Sequence, residues 1–356
     1  MNIPESLIEK EIKSAKKASY AIGVVTKDSQ HIQGQIYDDM GETEIGKSVF
    51  EIGSTTKTFT SLLLAKLARE GRLSLDEPIV TFKPEYKNAL SSKGKEITFR
   101  HLATHQSGLP REDMKKLRKR MKENKQDKDN FFKHYTLDDL HQFYLDFDLK
   151  KEIGKKWGYS NIGVGLLGNV LSEVVKMDYE EAIKSHILTP IGMNDTFIHG
   201  NEEQLKRYVK PYNKKGERIP PIEIPAVQGA GAFKSTLHDM MIYLQHQMSL
   251  VDSPLKEEID LTHQLQGVKA NKRIQMGLSW FIENKKWSSY PLIHHGGTTM
   301  GFHTYFGFLK EEQIGIVMFS TIQISTIRLI KMLLGLSGTV NENHAEFVFK
   351  EFIQNK

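Results

Sequence analysis

Segments with the residue types of β-strands lie near the two ends of this 356-residue chain, and this separation constrains the fold most. Between them, residues 100–270 show mainly helical patterns and loops. The two ends would contribute to one sheet, with the middle of the chain inserted as a helical lobe. We therefore predict an α/β fold of the α+β type, in which an antiparallel sheet is flanked by helices. The predicted strands are residues 20–26, 29–37, 277–283, 304–308 and 314–320.

We expect a single domain over residues 1–356. Its sheet lobe would comprise about 1–75 and 270–356, and its helical lobe about 76–269. A chain of this size buries roughly 75% of its unfolded surface, so the fold needs no disulfide, and the chain contains no cysteine. A pocket is expected at the seam between the lobes. The main helices are predicted over residues 4–17, 59–67, 162–175, 322–336 and 343–354.

Ser54 and Lys57 stand three residues apart at the start of the helix predicted over 59–67. Residues at this spacing are neighbours on one helical face, so the amine would lie beside the hydroxyl. A hydroxyl becomes a useful nucleophile when a nearby base takes its proton. A serine at a helix N-terminus also lies near unpaired backbone N–H groups, which stabilise a developing oxyanion. The pair therefore indicates nucleophilic catalysis.

The spacing alone is not decisive, because a serine that caps a helix beside a solvated lysine gives the same pattern. Context favours Ser54, since an apolar segment and Gly53 precede it and a long apolar helix follows it. The same spacing recurs at Ser14/Lys17, Ser92/Lys95 and Ser253/Lys256.

Two later motifs accompany this pair. Tyr159-Ser160-Asn161 follows about a hundred residues after Ser54, and His295-Gly296-Gly297 lies near the C-terminus. A Ser-x-x-Lys, Tyr-x-Asn and His-x-Gly in this order resembles the serine β-lactamase and penicillin-binding-protein superfamily. The nearest branch is that of class C β-lactamases, DD-peptidases and esterases. Further segments resemble the family in its own order, namely residues 70–76, 97–110, 190–196 and 276–280.

The resemblance implies a covalent mechanism in which Ser54 attacks a carbonyl, while Lys57 and Tyr159 share the roles of base and acid. Because a neighbouring ammonium lowers the pKa of a phenol, we expect the pKa of Tyr159 to be lowered. The Tyr86-Lys87-Asn88 stretch has the same spacing as the tyrosine motif, but it lies too close to Ser54 for the family layout.

The resemblance also implies a substrate-binding set, formed by Asn161 and by the strand that carries His295, Gly297 and Thr298. The backbone N–H groups of Ser54 and Thr298 would form the oxyanion hole. His294 also begins a His-x-Gly, but the family spacing to the Gly301-Phe302 pair selects His295.

Three other patterns favour ordinary structure. Residues 163–168 match the dinucleotide motif Gly-x-Gly-x-x-Gly, but no strand precedes them. His101 and His105 have a metal-ligand spacing without the glutamate of His-Glu-x-x-His. The charged segment 111–129 is typical of a solvated helix or flap, and the alternative is a surface for an anionic polymer or membrane. Its basic run has no interleaved aromatic residue, so we expect no nucleic-acid partner.

We expect a serine hydrolase that acts on an amide or ester carbonyl of a small molecule or peptide. It would be of DD-peptidase, β-lactamase or esterase type, and the alternative is a penicillin-binding sensor or scaffold with little turnover. No metal, organic cofactor or transmembrane helix is expected. The protein would be cytoplasmic if Met1 is the native start and extracytoplasmic if a leader was removed.

Overall fold

The computed structural model describes residues 17–37, 44–127, 129–322 and 339–355. Its strands are β1 (Tyr20–Thr26), β2 (Gln30–Gln35), β3 (Val49–Glu51), β4 (Ser91–Ser92), β5 (Lys95–Glu96), β6 (Lys234–Thr236), β7 (Val268–Lys269), β8 (Ile274–Met276), β9 (Phe281–Glu283), β10 (Leu292–Thr298), β11 (His303–Leu309) and β12 (Ile314–Ser320). Eight of them form one sheet in the order β2-β1-β12-β11-β10-β9-β8-β7, and every neighbouring pair is antiparallel. The remaining strands form two short pairs, β3-β6 and β4-β5.

The α-helices of the described residues lie mostly between β2 and β7 in the chain. They are α1 (Thr56–Arg69), α2 (Lys87–Leu90), α3 (Phe99–Ala103), α4 (Met114–Glu123), α5 (Leu137–Asp146), α6 (Asn161–Val175), α7 (Tyr179–Ile183), α8 (Thr189–Ile191), α9 (Glu202–Lys206), α10 (Leu237–Gln247), α11 (Lys256–His263) and α12 (Val340–Gln354). The antiparallel sheet with flanking helices confirms the predicted fold class. The division into lobes near residues 75 and 270 stays a prediction.

The central strands of the sheet are buried on both faces. Successive side chains of a strand point to opposite faces, and β1 follows this rule. Ala21 and Val25 belong to the main hydrophobic core, whereas Ile22 and Val24 belong to a second cluster. That second cluster includes Phe349 of α12, and the main core includes residues of α1 and α10. The sheet is therefore packed between α12 on one side and α1 and α10 on the other.

Most strand predictions agree with the structure. Residues 20–26 and 314–320 are strands as predicted, and β1 pairs with β12 over their full lengths. The segments 29–37 and 304–308 correspond to β2 and β11 with slightly different ends. The helices predicted over 59–67, 162–175 and 343–354 are present as α1, α6 and α12. Those predicted over 4–17 and 322–336 lie almost wholly outside the described residues.

The prediction of one strand over 277–283 is wrong, because only β9 in its second half is extended. Ser279 has a φ of +59°, which a strand does not accommodate. The backbone N–H of Leu278 donates to Thr262, and that of Ser279 donates to Ala103. These residues therefore bond to the helical part of the chain instead of a neighbouring strand.

Helix α1 is buried on all sides over most of its length, as expected for a helix in the middle of a large domain. Its buried hydroxyl groups have partners. Thr60 Oγ1 donates to the carbonyl of Gly229 at 2.8 Å, and Ser61 Oγ lies 2.6 Å from Ser279 Oγ. These bonds hold the N-terminal end of α1 at one place beside the sheet.

Candidate active site

Ser54 lies in a single 3₁₀ turn, Gly53–Thr55, that joins β3 to α1. Its side chain is partly exposed, whereas both neighbouring residues are buried. Gly53 has a φ of +48°, a left-handed conformation that favours glycine. A Cβ atom on Gly53 would lie only 2.9 Å from the backbone nitrogen of Thr298. The chain thus turns sharply before α1 and presents Ser54 at the helix N-terminus, next to β10.

The Lys57 side chain is fully buried beside Ser54. Its Nζ donates to Ser54 Oγ at 3.0 Å and to the carbonyl oxygen of Ala230 at 2.5 Å. Burial lowers the pKa of Lys57 from 10.5 to about 7, although the carboxylate of Glu112 acts in the opposite direction. An amine with this pKa is partly neutral at neutral pH, so it can accept the proton of the serine hydroxyl.

Tyr159 lies in the loop before α6, and its hydroxyl forms a hydrogen bond with Ser54. Lys57 Nζ lies 4.9 Å from the centre of the Tyr159 ring, and Arg111 Cζ lies at the same distance. The expected lowering of the pKa of Tyr159 is wrong. Burial raises this pKa to about 12 and outweighs the opposing effects of Ser54 and Arg111. Tyr159 is therefore a neutral phenol over the ordinary pH range, able to donate or pass on a proton.

Asn161 is the first residue of α6, but it does not cap the helix. Ser160 is the capping residue, because its Oγ accepts from the backbone N–H of Gly163 at 2.9 Å. The Asn161 side chain therefore does not bind the helix end, and its Nδ2 donates to Oε1 of Glu112. Its Oδ1 is buried and has no hydrogen-bond partner among the described residues. The site therefore contains an unused acceptor beside Glu112.

Strand β10 lies beside the turn that carries Ser54, and the two backbones are in contact. A Cβ atom on Gly297 would lie 3.2 Å from the backbone nitrogen of Ser54. Together with the contact between Gly53 and Thr298, this brings the backbone nitrogens of Ser54 and Thr298 close together. Thr298 is exposed at the end of the strand. The arrangement suits two N–H donors to one oxyanion.

His295 is buried on β10 with a side-chain exposure of 1%. Burial, with the nearby charge of Lys57, lowers the pKa of His295 to about 3, so its ring is neutral at physiological pH. Its Nδ1 lies 2.7 Å from the carbonyl oxygen of Gly296, which assigns the proton to Nδ1. Nε2 is then an acceptor, and it has no partner among the described residues. His295 contributes a polar atom to the site but no positive charge.

The three other Ser-x-x-Lys pairs lack a buried lysine. Ser92 and Lys95 face each other across the β4-β5 pair, where Lys95 is exposed. Lys256 is also exposed and pairs with Asp260 at 3.1 Å, while Ser253 lies in the preceding turn. Ser14 is outside the described residues. Burial thus distinguishes Lys57, where spacing alone did not.

Residues of the other three patterns make structural contacts. A Cβ atom on Gly165 would lie 2.4 Å from a methyl group of Val227, so this glycine allows close packing of α6. His101 Nδ1 accepts from the backbone N–H of Thr98 as part of a helix cap. Within the charged segment, α4 buries only Leu117, and its Arg120 forms a two-point ion pair with Asp139 at 2.8 Å. Met114–Glu123 is therefore a solvated helix, whereas Arg111 and Glu112 precede it and contact the site.

The chain matches the sequence model of the Beta-lactamase family over residues 5–328. The chain belongs to the beta-lactamase family. It is 27% identical to a beta-lactamase of Providencia stuartii over 349 residues, which cover 86% of this chain and 79% of that protein. It is also 27% identical to the D-alanyl-D-alanine-carboxypeptidase/endopeptidase AmpH of Escherichia coli strain K12, with 79% and 74% of the two chains covered.

The solved structures of beta-lactamase-family proteins share this fold. The class C beta-lactamase from Rhodobacter sphaeroides superposes with a TM-score of 0.75 at 19% identity, covering 94% of this chain and 98% of that one. The D-alanine carboxypeptidase AmpC from Burkholderia cenocepacia superposes with a TM-score of 0.71 at 21% identity, covering 92% and 96%. These findings confirm the predicted family, and membership of it supports a hydrolase. Among the described residues, no helix is both long and apolar enough to cross a bilayer.

Two contributors to this beta-lactamase-family site were not predicted. The carbonyl of Ala230 binds Lys57 from 173 positions away, and no motif marks it. Glu112 was counted only as part of the charged segment. Its position two residues after Pro110, at the end of a family-like stretch, was the available signal.

Proposed function

We propose that this chain is a serine hydrolase that cleaves an amide or ester through a covalent acyl-enzyme on Ser54. One observation carries the proposal. The Nζ atom of Lys57 lies 3.0 Å from Ser54 Oγ, and burial lowers the pKa of Lys57 to about 7. A nucleophile within hydrogen-bond reach of a base with a pKa near neutrality is the arrangement that acyl transfer requires.

In the acylation step, Ser54 Oγ forms a bond to the carbonyl carbon while its proton passes to the neutral amine of Lys57. The carbonyl oxygen becomes an oxyanion, which the backbone N–H groups of Ser54 and Thr298 stabilise. The bond from carbon to the leaving group then breaks, and the leaving amine or alkoxide takes a proton through Tyr159. Because Tyr159 is a neutral phenol, it acts as a donor and relay, and Lys57 is the base.

Deacylation repeats these steps with water as the nucleophile. Water adds to the ester carbonyl of the acyl-enzyme and gives up a proton to the Lys57–Tyr159 pair. The bond to Ser54 Oγ breaks, and the serine recovers its proton. The products are the free acid and the regenerated enzyme, so the hydrolysis consumes only water and needs no cofactor.

The substrate class follows in part from the relatives. One relative is named a D-alanyl-D-alanine-carboxypeptidase/endopeptidase, and another is named a beta-lactamase. We propose a carbonyl substrate of this range, with small esters cleaved faster than β-lactams. The neutral state of His295 supports this preference, since a β-lactam carboxylate gains no fixed positive charge there.

The test applies a fluorescent penicillin and a fluorophosphonate probe to the intact protein, followed by intact-mass measurement over time. We expect a mass increase that the Ser54→Ala variant lacks. The matched controls Ser14→Ala, Ser92→Ala and Ser253→Ala should label like the wild type. Undiminished labelling of Ser54→Ala would disprove the proposal. A penicillin adduct that forms and never decays, together with no hydrolysis of small esters, would favour the sensor or scaffold alternative, whereas the irreversible fluorophosphonate adduct reports only on the nucleophile.

A further inference from the structure

Glu112 is a carboxylate near Asn161 and Lys57 that has no ion-pair partner among the described residues. It lies in the loop between α3 and α4 and is partly buried. One of its oxygens, Oε1, accepts from Asn161. Its pKa is raised by burial, against the opposing influences of Asn161, Lys57 and Arg111, so all three of these groups are near it. Burying a carboxylate without a charged partner costs free energy, so the position of Glu112 needs an explanation.

Arg111 does not supply that partner. Its guanidinium is exposed and lies over the ring of Tyr159, 4.9 Å from the ring centre. Lys57 is committed to Ser54 and to the carbonyl of Ala230. When Lys57 is neutral, as its role as base requires, it offers no charge to Glu112. The carboxylate then has no ion-pair partner among the described residues, and the charge of Arg111, which lowers the pKa of Glu112, is the cationic influence that remains.

Asn161 adds a second acceptor at the same place. A carboxylate oxygen can only accept, so the hydrogen bond to Glu112 fixes the amide with its NH₂ group toward Glu112. The amide oxygen Oδ1 is consequently the atom left to accept another donor, and it is buried and has no partner among the described residues. Glu112 and Asn161 therefore present two acceptors and a negative charge.

We infer that Glu112 and Asn161 bind a protonated amine that the substrate carries next to its scissile carbonyl. An ammonium group has donors only and a positive charge, and so matches both acceptors and the unpaired carboxylate. The inference rests on the proposed function, since it names the substrate class of that same site. The natural substrates would be esters or amides of amino acids or peptides with a free amine on the acyl side.

Binding of such a group would also assist the chemistry. The negative charge of Glu112 raises the pKa of Lys57. A substrate ammonium beside Glu112 would offset that charge and so lower the pKa of Lys57. A positive charge placed near Lys57 also disfavours its protonated form. The correct substrate would therefore favour the neutral amine that takes the proton from Ser54, whereas an N-acylated substrate would not.

The test compares alanine benzyl ester, which has a free amine, with N-acetyl-alanine benzyl ester, using both enantiomers of each. Release of benzyl alcohol is followed at a pH where the free amine is protonated. The quantity compared is the ratio of kcat/KM for the free ester to that for the acetylated ester. A substitution that changes the reactivity of Ser54 or Lys57 alters both kcat/KM values alike, so its effect cancels in this ratio.

We expect the ratio to fall by roughly 10- to 100-fold in Glu112→Gln, the size expected for loss of a charge-assisted hydrogen bond. Glutamine keeps an acceptor for Asn161, so the site's shape is retained. Glu112→Asp should keep more of the preference, because it retains the charge. The matched control is Glu123→Gln, an exposed carboxylate paired with Arg120, whose ratio should equal that of the wild type.

Two results would overturn the inference, and they are distinguishable. If both esters are cleaved with a ratio unaffected by Glu112→Gln, or if the wild type prefers the acetylated ester, ammonium recognition is wrong and the hydrolase assignment stands. If no ester is cleaved and no phosphonyl-enzyme mass appears with the fluorophosphonate, the proposed function fails and this inference fails with it.

Discussion

Gly297 lies so close to Ile52 that a Cβ atom on residue 297 would be 1.9 Å from the carbonyl oxygen of Ile52. Strand β10 and the turn before α1 therefore meet backbone to backbone, with room for a hydrogen atom only. This contact fixes the separation between the backbone N–H groups of Ser54 and Thr298. The proposed oxyanion hole depends on it, because its two donors come from these two segments.

Gly297→Ala should lower kcat for ester hydrolysis by about 10²–10³, the loss that follows removal of one oxyanion-hole donor. The added methyl group must push β10 away from Ile52. Gly296→Ala is the matched control, since its Cβ would lie 3.4 Å from the nearest atom, a carbonyl oxygen of Thr304. Steady-state kinetics and calorimetry on both variants check this expectation, and equal activities of the two would contradict it.

Tyr159→Phe should lower kcat by roughly 10²–10⁴ with little change in stability, the range for loss of a general acid–base group. The substitution removes the hydroxyl that bonds to Ser54 and keeps the ring between Lys57 and Arg111. Tyr86→Phe serves as control, because the Tyr86 hydroxyl bonds to His141 at 2.6 Å, away from Ser54. Activity of Tyr159→Phe within about threefold of the wild type would show that Lys57 works without it.

The pH profile of kcat/KM should rise with pH and level off above a pKa of about 7, because the neutral form of Lys57 is the base. Tyr159, with a pKa of about 12, and His295, with a pKa of about 3, titrate outside the range from pH 5 to 9. The Glu112 carboxylate raises the pKa of Lys57, so Glu112→Gln should move the ascending limb to lower pH. A limb that moves upward, or does not move, would argue against Lys57 as the base.

His295→Lys should increase the rate of β-lactam acylation relative to ester cleavage. The native imidazole is neutral, whereas an ammonium would attract the β-lactam carboxylate. Nitrocefin acylation and hydrolysis of an uncharged ester, measured on the same preparations, give the ratio. The control is His294→Lys, which adds the same charge at the neighbouring position. His294 stacks on Tyr305 and lies near Glu283, so a lysine there should leave the ratio unchanged. Efficient nitrocefin turnover by the wild type, or no gain in the ratio, would refute this prediction.

Features that depend on residues close together in the chain could be predicted before the fold was known. The spacing of Ser54 and Lys57 was sufficient to place amine and hydroxyl together, because a helical turn brings residues three apart to one face. Residue types and alternation predicted β1 and β12 over their full lengths. The order of the motifs was enough to identify the family, since it requires no knowledge of distances.

The electrostatics of the site could not be predicted without the fold. Ionisation depends on burial and on charges brought from distant parts of the chain, and no local pattern encodes either. The pKa of Lys57 is lowered because the fold encloses it, and the carbonyl of Ala230 reaches it from another segment. The pKa of Tyr159 was predicted in the wrong direction for the same reason, as burial outweighs its charged neighbours. The pairing of Glu112 with Asn161 likewise joins a loop and the start of α6, which lie 49 residues apart in the sequence.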